Sequence, residues 1–282
     1  MTTVTRFAPS PTGHLHLGHA YSALFAADAA ADRHGRFLLR IEDIDQGRCR
    51  PEFERQIYDD LSWLGLSWES PARRQSDHFA DYQDALDRLD EMALLYPCFC
   101  TRKDIQAEIA ASGGAPHGPD GPLYPGTCRG LSPDVTASRI AAGEAYALRL
   151  DMAAAVARTG PLSWQDQEAG TVAAKPDRFG DVVLARKDTP TSYHLAVTWD
   201  DHLQGVTLVT RGQDLFAATD VHRLLQSLLD LNILNYHHHK LLTDDDGERY
   251  AKRNRSVTLK SLRDAGKTPD DIRTMVGLLH NA

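Results

Sequence analysis

Apolar and polar positions along the chain switch between a strand-like and a helix-like period, and the switches mark out a βα rhythm. Val4-Thr5-Arg6-Phe7 is a short apolar run, and the alanine-rich residues 20–33 form a strong helix former that stops near Gly35. Residues 36–43 read as a buried strand ending in carboxylates, with Glu42, Asp43 and Asp45 at that end. Pro51 opens a predicted helix through about residue 64, with Phe53, Ile57, Leu61 and Leu64 at helical spacing. A second helix is predicted over roughly 77–95. Strand, helix, strand at this length predicts a parallel βαβ unit whose ligands sit at the carboxyl ends of the strands.

From about residue 96 to 179 the pattern loosens. Residues 113–130 are rich in Gly and Pro and read as loop or small insertion. A strand is predicted at 145–150 and a turn at 177–180. The apolar run 181–186 is where the βαβ rhythm is expected to resume, followed by a run at 193–198, a strand at 206–211 and a helix over 216–231. Residues 240–243 read as a strand and 244–247 as a turn. A basic loop spans 249–255, and two short helices are predicted near 258–265 and 269–280. Trp63 and Trp68 are read as packing residues. Two α/β halves divided by an insertion is the economical interpretation. It gives four segments: 1–95 as the first half, 96–180 as the insertion, 181–239 as the second half, and 240–282 as a basic loop with a short helical region.

Composition changes this picture little. The 282 residues, 42% hydrophobic and 25% charged, suffice for a sizeable core. No apolar run reaches the length of a membrane span and the N-terminus lacks a signal-peptide pattern, so the expectation is a cytoplasmic protein with no membrane partner. Nothing in the sequence demands a dimer, and a monomer is expected. The formal net charge of −8 argues against wholesale wrapping by nucleic acid. The local balance differs: from 249 to 267 the chain carries Arg249, Lys252, Arg253, Arg255, Lys260, Arg263 and Lys267 against Asp264 alone. That stretch is the part a polyphosphate or RNA backbone would meet.

Two stretches carry candidate chemistry. In Phe7-Ala8-Pro9-Ser10-Pro11-Thr12-Gly13-His14-Leu15-His16-Leu17-Gly18-His19, a strand leads through a rigid loop into a helix N-terminus. That arrangement presents unpaired N–H groups and positive dipole to a phosphate. Gly18 would give a nucleotide clearance, and His16 and His19 would be donors beside it; the plainer alternative is a turn with solvent-facing histidines. The second stretch is Cys98-x-Cys100 with Cys128. Three thiolates need one more ligand for tetrahedral zinc, and His117 is the ordinary candidate, against three reduced buried cysteines. Cys49 lies apart from this set.

The string His16-Leu17-Gly18-His19 resembles the HIGH signature of class I aminoacyl-tRNA synthetases. Arg6-Phe7-Ala8-Pro9-Ser10-Pro11-Thr12-Gly13, Ile41-Glu42-Asp43-Ile44-Asp45 and Thr210-Arg211-Gly212-Gln213-Asp214-Leu215 resemble the glutamyl and glutaminyl branch specifically. The resemblance spans nearly the whole chain. It implies a class I synthetase α/β fold: a Rossmann-like parallel sheet, an inserted α/β zinc-containing subdomain and a short helical C-terminal region. Because the sequence ends soon after the nucleotide-binding loop, where glutamyl-tRNA synthetases continue into an anticodon-binding region, it is most similar to their short paralogues, the glutamyl-Q tRNA(Asp) synthetase family.

That resemblance implies an ATP-dependent ligase that activates L-glutamate without tRNA and transfers it to queuosine in the anticodon of tRNA(Asp). It implies ATP as substrate with Mg²⁺ held mainly by phosphate oxygens and water, and one structural Zn²⁺. His16, Gly18 and His19 are implied at the ATP phosphates. Arg249-Tyr250-Ala251-Lys252-Arg253 lies where the family's KMSKS loop belongs; Arg249 replaces the first lysine and Arg253 the serine-side neighbour, which leaves Lys252 as the pyrophosphate-side cation. The glutamate site is implied to comprise Arg6, Phe7, Ala8, Pro9, Ser10 and Glu42, with Tyr193 and Arg211 from the second half. Arg6 and Arg211 could pair bidentately with carboxylates and Glu42 could take the ammonium; each could instead be a structural ion pair, and Tyr193 a half-buried aromatic. The role of His194 stays open. The family's Cys-x-Cys…Tyr-x3-Cys pattern fits Cys98, Cys100, Tyr124 and Cys128, so Tyr124 competes with His117 for the fourth zinc position. Other functions to be separated are charging of a tRNA 3′ end, a HIGH-family nucleotidyltransferase acting on a small cofactor, and a non-catalytic RNA-binding paralogue.

Overall fold

The first strand, β1 (Val4–Phe7), is buried along its whole length, and the alanine-rich helix α1 (Leu17–Ala31) lies against it. Buried Ala20, Ala23, Ala26 and Ala30 let the helix axis approach the sheet closely, while Leu17, Tyr21 and Leu24 fill the space between. The chain then forms β2 (Arg36–Ile41), parallel to β1 with Val4 opposite Arg36. The computed structural model describes residues 2–111, 116–242 and 257–278.

Helix α2 (Pro51–Trp63) follows, with Pro at its start and Ile57 and Leu61 buried in the α1 cluster, and the two-residue β3 (Arg73–Arg74) adds to β2 in parallel. Helix α3 (Phe79–Glu91) ends four residues before the predicted end at Leu95. Ala93 turns the chain at φ 56, and Leu95 enters β4 (Leu95–Cys98). The turn uses a left-handed alanine where a glycine would have been a visible stop.

The insertion holds α4 (Arg102–Ala111), the small hairpin β5 (His117–Gly118) and β6 (Gly121–Pro122), α5 (Pro133–Ala141) and β7 (Ala147–Leu150). Helix α6 (Met152–Thr159) leads to β8 (Ser163–Asp166) and β9 (Gly170–Ala173). Next comes β10 (Val183–Arg186), and here the structure departs from expectation. The 181–186 run does not resume the parallel sheet; it pairs antiparallel with β7, which pairs antiparallel with β4. A continuous apolar run of this length suits either kind of buried strand. The parallel sheet instead takes β8, a polar segment whose inward anchor is Trp164, 1% exposed and hydrogen-bonded to Asp220 at 2.9 Å.

Helix α7 (Tyr193–Leu203), β11 (Leu208–Gly212), α8 (Thr219–Leu228) and β12 (Asn235–His239) complete the second half. The sheet order is β11-β12-β8-β9, parallel except for β9. The strand predicted at 240–243 is therefore β12, a few residues earlier, hidden by its run of three histidines. Helix α8 is also shorter than the 216–231 predicted. The closing helices α9 (Leu259–Asp264) and α10 (Pro269–Val276) match the expected pair, and Ile272 and Val276 pack on α1. No helix among the described residues is long and apolar enough to cross a membrane.

The two halves meet where β1 lies beside β11. Thr207 N–H donates to the Val4 carbonyl at 3.0 Å, at the amino end of β1. Two residues on, side chains replace that backbone contact: Arg6 donates to the Thr210 carbonyl at 3.3 Å and takes both oxygens of Asp201 on α7, at 3.0 and 3.3 Å. Arg40 on β2, fully buried, shares Asp201 and lies 3.8 Å from Asp200. Asp200 also accepts from Arg73, Gln75 and Tyr82. Burial works to push the Asp201 carboxyl up, but Arg6 and Arg40 outweigh it and hold it below the usual carboxylate range. Asp201→Ala would leave Arg6 without its carboxylate and Arg40 with the more distant Asp200. The expected loss is about 3–5 kcal/mol, read as a lower midpoint in equilibrium denaturation; an unchanged midpoint would refute this linking role.

Candidate active site

At the carboxyl ends of β1, β2 and β11 the sheet opens into a cavity of about 530 Å³. Every residue expected there from the first loop and the second half lines it: Arg6 to Ser10, His16, Gly18, His19, Glu42, Tyr193 and Arg211. The loop is held by Glu42 N–H on the Pro9 carbonyl and Arg50 N–H on the Pro11 carbonyl, both at 3.0 Å. Lys252 lies outside the described residues. The chain on either side of it reaches this site: Leu242 lines the cavity, and Thr258 forms an isolated bridge with His16.

The helix N-terminus differs from the bare phosphate cradle expected. His16 is the N-cap of α1, and its Nδ1 accepts the Gly18 N–H at 3.1 Å; the His16 N–H in turn goes to His19 Nδ1 at 3.2 Å. With both Nδ1 atoms accepting, each neutral imidazole carries its proton on Nε2. The ring centroids lie 3.9 Å apart at the start of α1.

Charges in the site sort into two groups. Arg6, Arg40 and Arg73 face Asp200, Asp201 and Asp81, so the alternative of a structural ion pair is realised for Arg6, which still borders the cavity. Arg211, 5% exposed, forms no ion pair among the described residues. Its fork meets neutral partners: His238 at 3.1 Å, His222 at 3.1 Å, Tyr193 at 3.4 Å and Thr219 at 2.6 Å. Burial and then the Arg211 charge push His194 down to about 4 and His222 well below the ordinary histidine range. Burial and Arg211 likewise bring His238 down to about 4, against the upward pull of Asp166. Glu42, its side chain 14% exposed, lies 3.8 Å from Arg40. Burial pushes its carboxyl up to about 7, against the pull of Arg40 and Arg6. Among the described residues the cavity wall thus carries a buried guanidinium with neutral partners, Arg211, and a carboxylate poised near neutrality, Glu42, beside the more peripheral Lys240 and Asp214; Arg211 and Glu42 suit a ligand with an anionic and a cationic group.

Sequence reasoning missed His239 and Ser22, which line the cavity and join at 3.1 Å, and Arg211's partners His222, His238 and Thr219. The histidine run 237–239 was the available signal. His194, left open before, stands 3.1 Å from His222.

In the insertion, the sulfurs of Cys98, Cys100 and Cys128 lie within 4.8 Å of one another. The Tyr124 hydroxyl is 3.3 Å from Cys98 Sγ and 3.6 Å from Cys100 Sγ, and Cys100 and Cys128 are 3.5 Å apart. A tetrahedral ion with metal–sulfur bonds of about 2.3 Å needs sulfurs about 3.8 Å apart, so this set can hold a thiophilic metal. His117, on the exposed hairpin, is not part of the cluster. Burial pushes the Cys100 thiol up to about 11. At Cys98, bonds from Tyr124 and Arg149 outweigh burial and draw the thiol down.

Residues 2–280 match the family model described as the catalytic domain of class I tRNA synthetases (E and Q). The chain is similar to a glutamyl-Q tRNA(Asp) synthetase of Rhodobacter capsulatus, 50% identical over 98% of this chain and 100% of that protein. It is also similar to one of Symbiobacterium thermophilum, 43% identical over 97% of this chain and 84% of that protein. Among solved structures it resembles the glutamate-tRNA synthetase from Elizabethkingia anophelis, with a TM-score of 0.83 and 25% identity over 99% of this chain. It spans 61% of that structure's length.

The site geometry makes one prediction that needs no ligand. Carbon-13 NMR of glutamate-labelled protein should show Glu42 titrating near pH 7, identified by loss of that signal in Glu42→Gln. Titration in the ordinary range near 4.3 would overturn it.

Proposed function

The chain belongs to the class I tRNA synthetases of the glutamyl and glutaminyl type and is a ligase, and on that premise we propose that it activates L-glutamate with ATP without tRNA and transfers it to queuosine in tRNA(Asp). The observation that carries the glutamate assignment is Arg211, a buried guanidinium with neutral partners, set in one cavity with Glu42. Arg211 takes the side-chain carboxylate and Glu42 the ammonium, with Tyr193 and the backbone of Phe7 to Ser10 shaping the space between. Glutamine offers Arg211 a neutral amide, so the site favours the acid.

In the activation step the glutamate α-carboxylate oxygen attacks the α-phosphorus of ATP, and pyrophosphate leaves with the electrons of the broken P–O bond. A carboxylate is already ionised at pH 7, so no general base is required, and rate comes from positioning and charge stabilisation. His16 and His19 supply Nε2–H donors to the phosphates beside Gly18, and Lys252 is assigned the pyrophosphate side. Mg²⁺ would neutralise phosphate charge, held mainly by phosphate oxygens and water. Because the ammonium needs Glu42 ionised, glutamate binding should weaken as pH falls through about 7.

The queuosine acceptor rests on the names of the relatives above, and a tRNA 3′ end is the competing destination. ATP–pyrophosphate exchange without tRNA should proceed with glutamate and hardly with glutamine, and Arg211→Ala should cost at least about 30-fold in kcat/KM for glutamate. Labelled glutamate should then appear on the anticodon of queuosine-containing tRNA(Asp). No glutamate exchange refutes the activation, and label on the 3′ adenosine refutes the acceptor.

We also infer that Cys98, Cys100, Cys128 and Tyr124 bind one structural zinc, since four protein ligands close the coordination shell. Elemental analysis should find one zinc per chain and markedly less in Cys100→Ser; equal contents would discard the site.

A further inference from the structure

Two arginines border the cavity, and they are held in opposite ways. Arg6 gives its fork to a carboxylate, both oxygens of Asp201. Arg211 is equally buried but is gripped by a ring of uncharged acceptors. A buried guanidinium without a counter-ion is costly to keep, so the choice of acceptors calls for a reason.

The two imidazole acceptors have their lone pairs aimed at Arg211 by further bonds. Asp166, at the end of β8, accepts the Nδ1–H of His238 at 2.7 Å and its backbone N–H at 3.2 Å. Its other oxygen accepts the N–H groups of Glu168 and Ala169 at 3.0 and 2.9 Å. A carboxylate so surrounded is ionised and can only accept, and its pKa is held low by those bonds against burial. It therefore fixes the His238 proton on Nδ1 and turns the Nε2 lone pair toward the Arg211 Nε–H. On the other side, His222 Nδ1 faces Arg211 Nη1 and its Nε2 faces His194 Nδ1 at 3.1 Å. Arg211 is a permanent donor, so His222 accepts at Nδ1 and donates onward from Nε2.

We propose that Asp166, His238 and His222 are positioning residues that orient the Arg211 guanidinium through uncharged acceptors, leaving its full charge for the side-chain carboxylate and thereby setting glutamate over glutamine. The proposal rests on the glutamate reading above and deepens it. The Asp166 carboxylate orients through an imidazole's thickness, while its own charge is answered by three backbone N–H groups. A carboxylate placed directly on Arg211 would orient it as well, but would cancel the charge the ligand needs.

An isosteric pair at position 222 separates orientation from charge, because an Asn or Asp side-chain oxygen can stand near the place of Nδ1. In glutamate-dependent ATP–pyrophosphate exchange, His222→Asn is expected to stay within about 3-fold of wild type in KM for glutamate. His222→Asp is expected to raise that KM at least about 10-fold and to lower the glutamate-to-glutamine preference by a similar factor, with KM for ATP unchanged; these factors correspond to the scale of one charged hydrogen bond. Asp166→Asn can donate to Nδ1 and reverse the His238 tautomer, so it should raise KM for glutamate while kcat stays near wild type. Folded His222→Asp and Asp166→Asn proteins with wild-type KM and preference would overturn the proposal. If the position 222 variants fail to fold, Asp166→Asn decides alone, and a wild-type KM for glutamate in it overturns the proposal. Wild-type protein that shows no glutamate exchange would overturn this inference together with the reading beneath it. Wild-type exchange that Arg211→Ala abolishes, beside indifferent positioning variants, would overturn this inference alone.

Discussion

Asp201 is the constraint on which the site depends. It stands on α7, yet its partners are Arg6 on β1 and Arg40 on β2, so one carboxylate ties the second half of the sheet to both strands of the first. Asp200 beside it extends the tie to Arg73, Gln75 and Tyr82. A buried ion network of this kind contributes little net stability compared with apolar packing, because desolvation offsets most of the attraction. Its effect is geometric. The halves are locked where β1 lies beside β11, and the cavity opens at the carboxyl ends of these strands.

The same network decides which charges remain for a ligand. Three arginines and three aspartates answer one another behind the cavity wall, where Arg6 alone of them borders the space, while the buried Arg211 has only neutral partners among the described residues and Glu42 is poised. On the proposed reading this matters for recognition. Arg6, which still borders the cavity, has its fork on both oxygens of Asp201. The guanidinium meant for a substrate is instead the one held by imidazoles and hydroxyls.

Legibility in the sequence followed the range of the signal. The strand, loop and helix around His16 and His19 were readable because proline, glycine and alanine act on neighbouring backbone. The fourth member of the cysteine cluster needed the family's pattern, and geometry placed Tyr124 with the sulfurs. The holders of Arg211 were hard to read beyond the histidine run 237–239, since Asp166 on β8, Thr219 and His222 on α8 and His238 on β12 are far apart in the chain and each alone reads as an ordinary polar residue. Sheet membership failed for a related reason. Val183-Leu184-Ala185 reads the same in a parallel or an antiparallel sheet, while Ser163–Asp166 joins the parallel sheet with Trp164 as its main apolar residue. The end of α3 was missed because Ala93 took a conformation that alanine seldom advertises.

The histidine motif itself came out changed. A helix N-terminus that binds phosphate through bare N–H groups would be closed by the caps seen here, because the Gly18 and His16 N–H groups already meet imidazole nitrogens. The same caps put the proton of each neutral ring on Nε2, so the start of α1 carries imidazole donors in place of those two N–H groups. His16 also bridges Thr258, and Leu259 N–H donates to the Leu15 carbonyl at 2.8 Å, so the helix start and the C-terminal helices share one anchor. Leu242 lines the cavity wall and Thr258 meets His16, so the described residues on both sides of Lys252 reach this site.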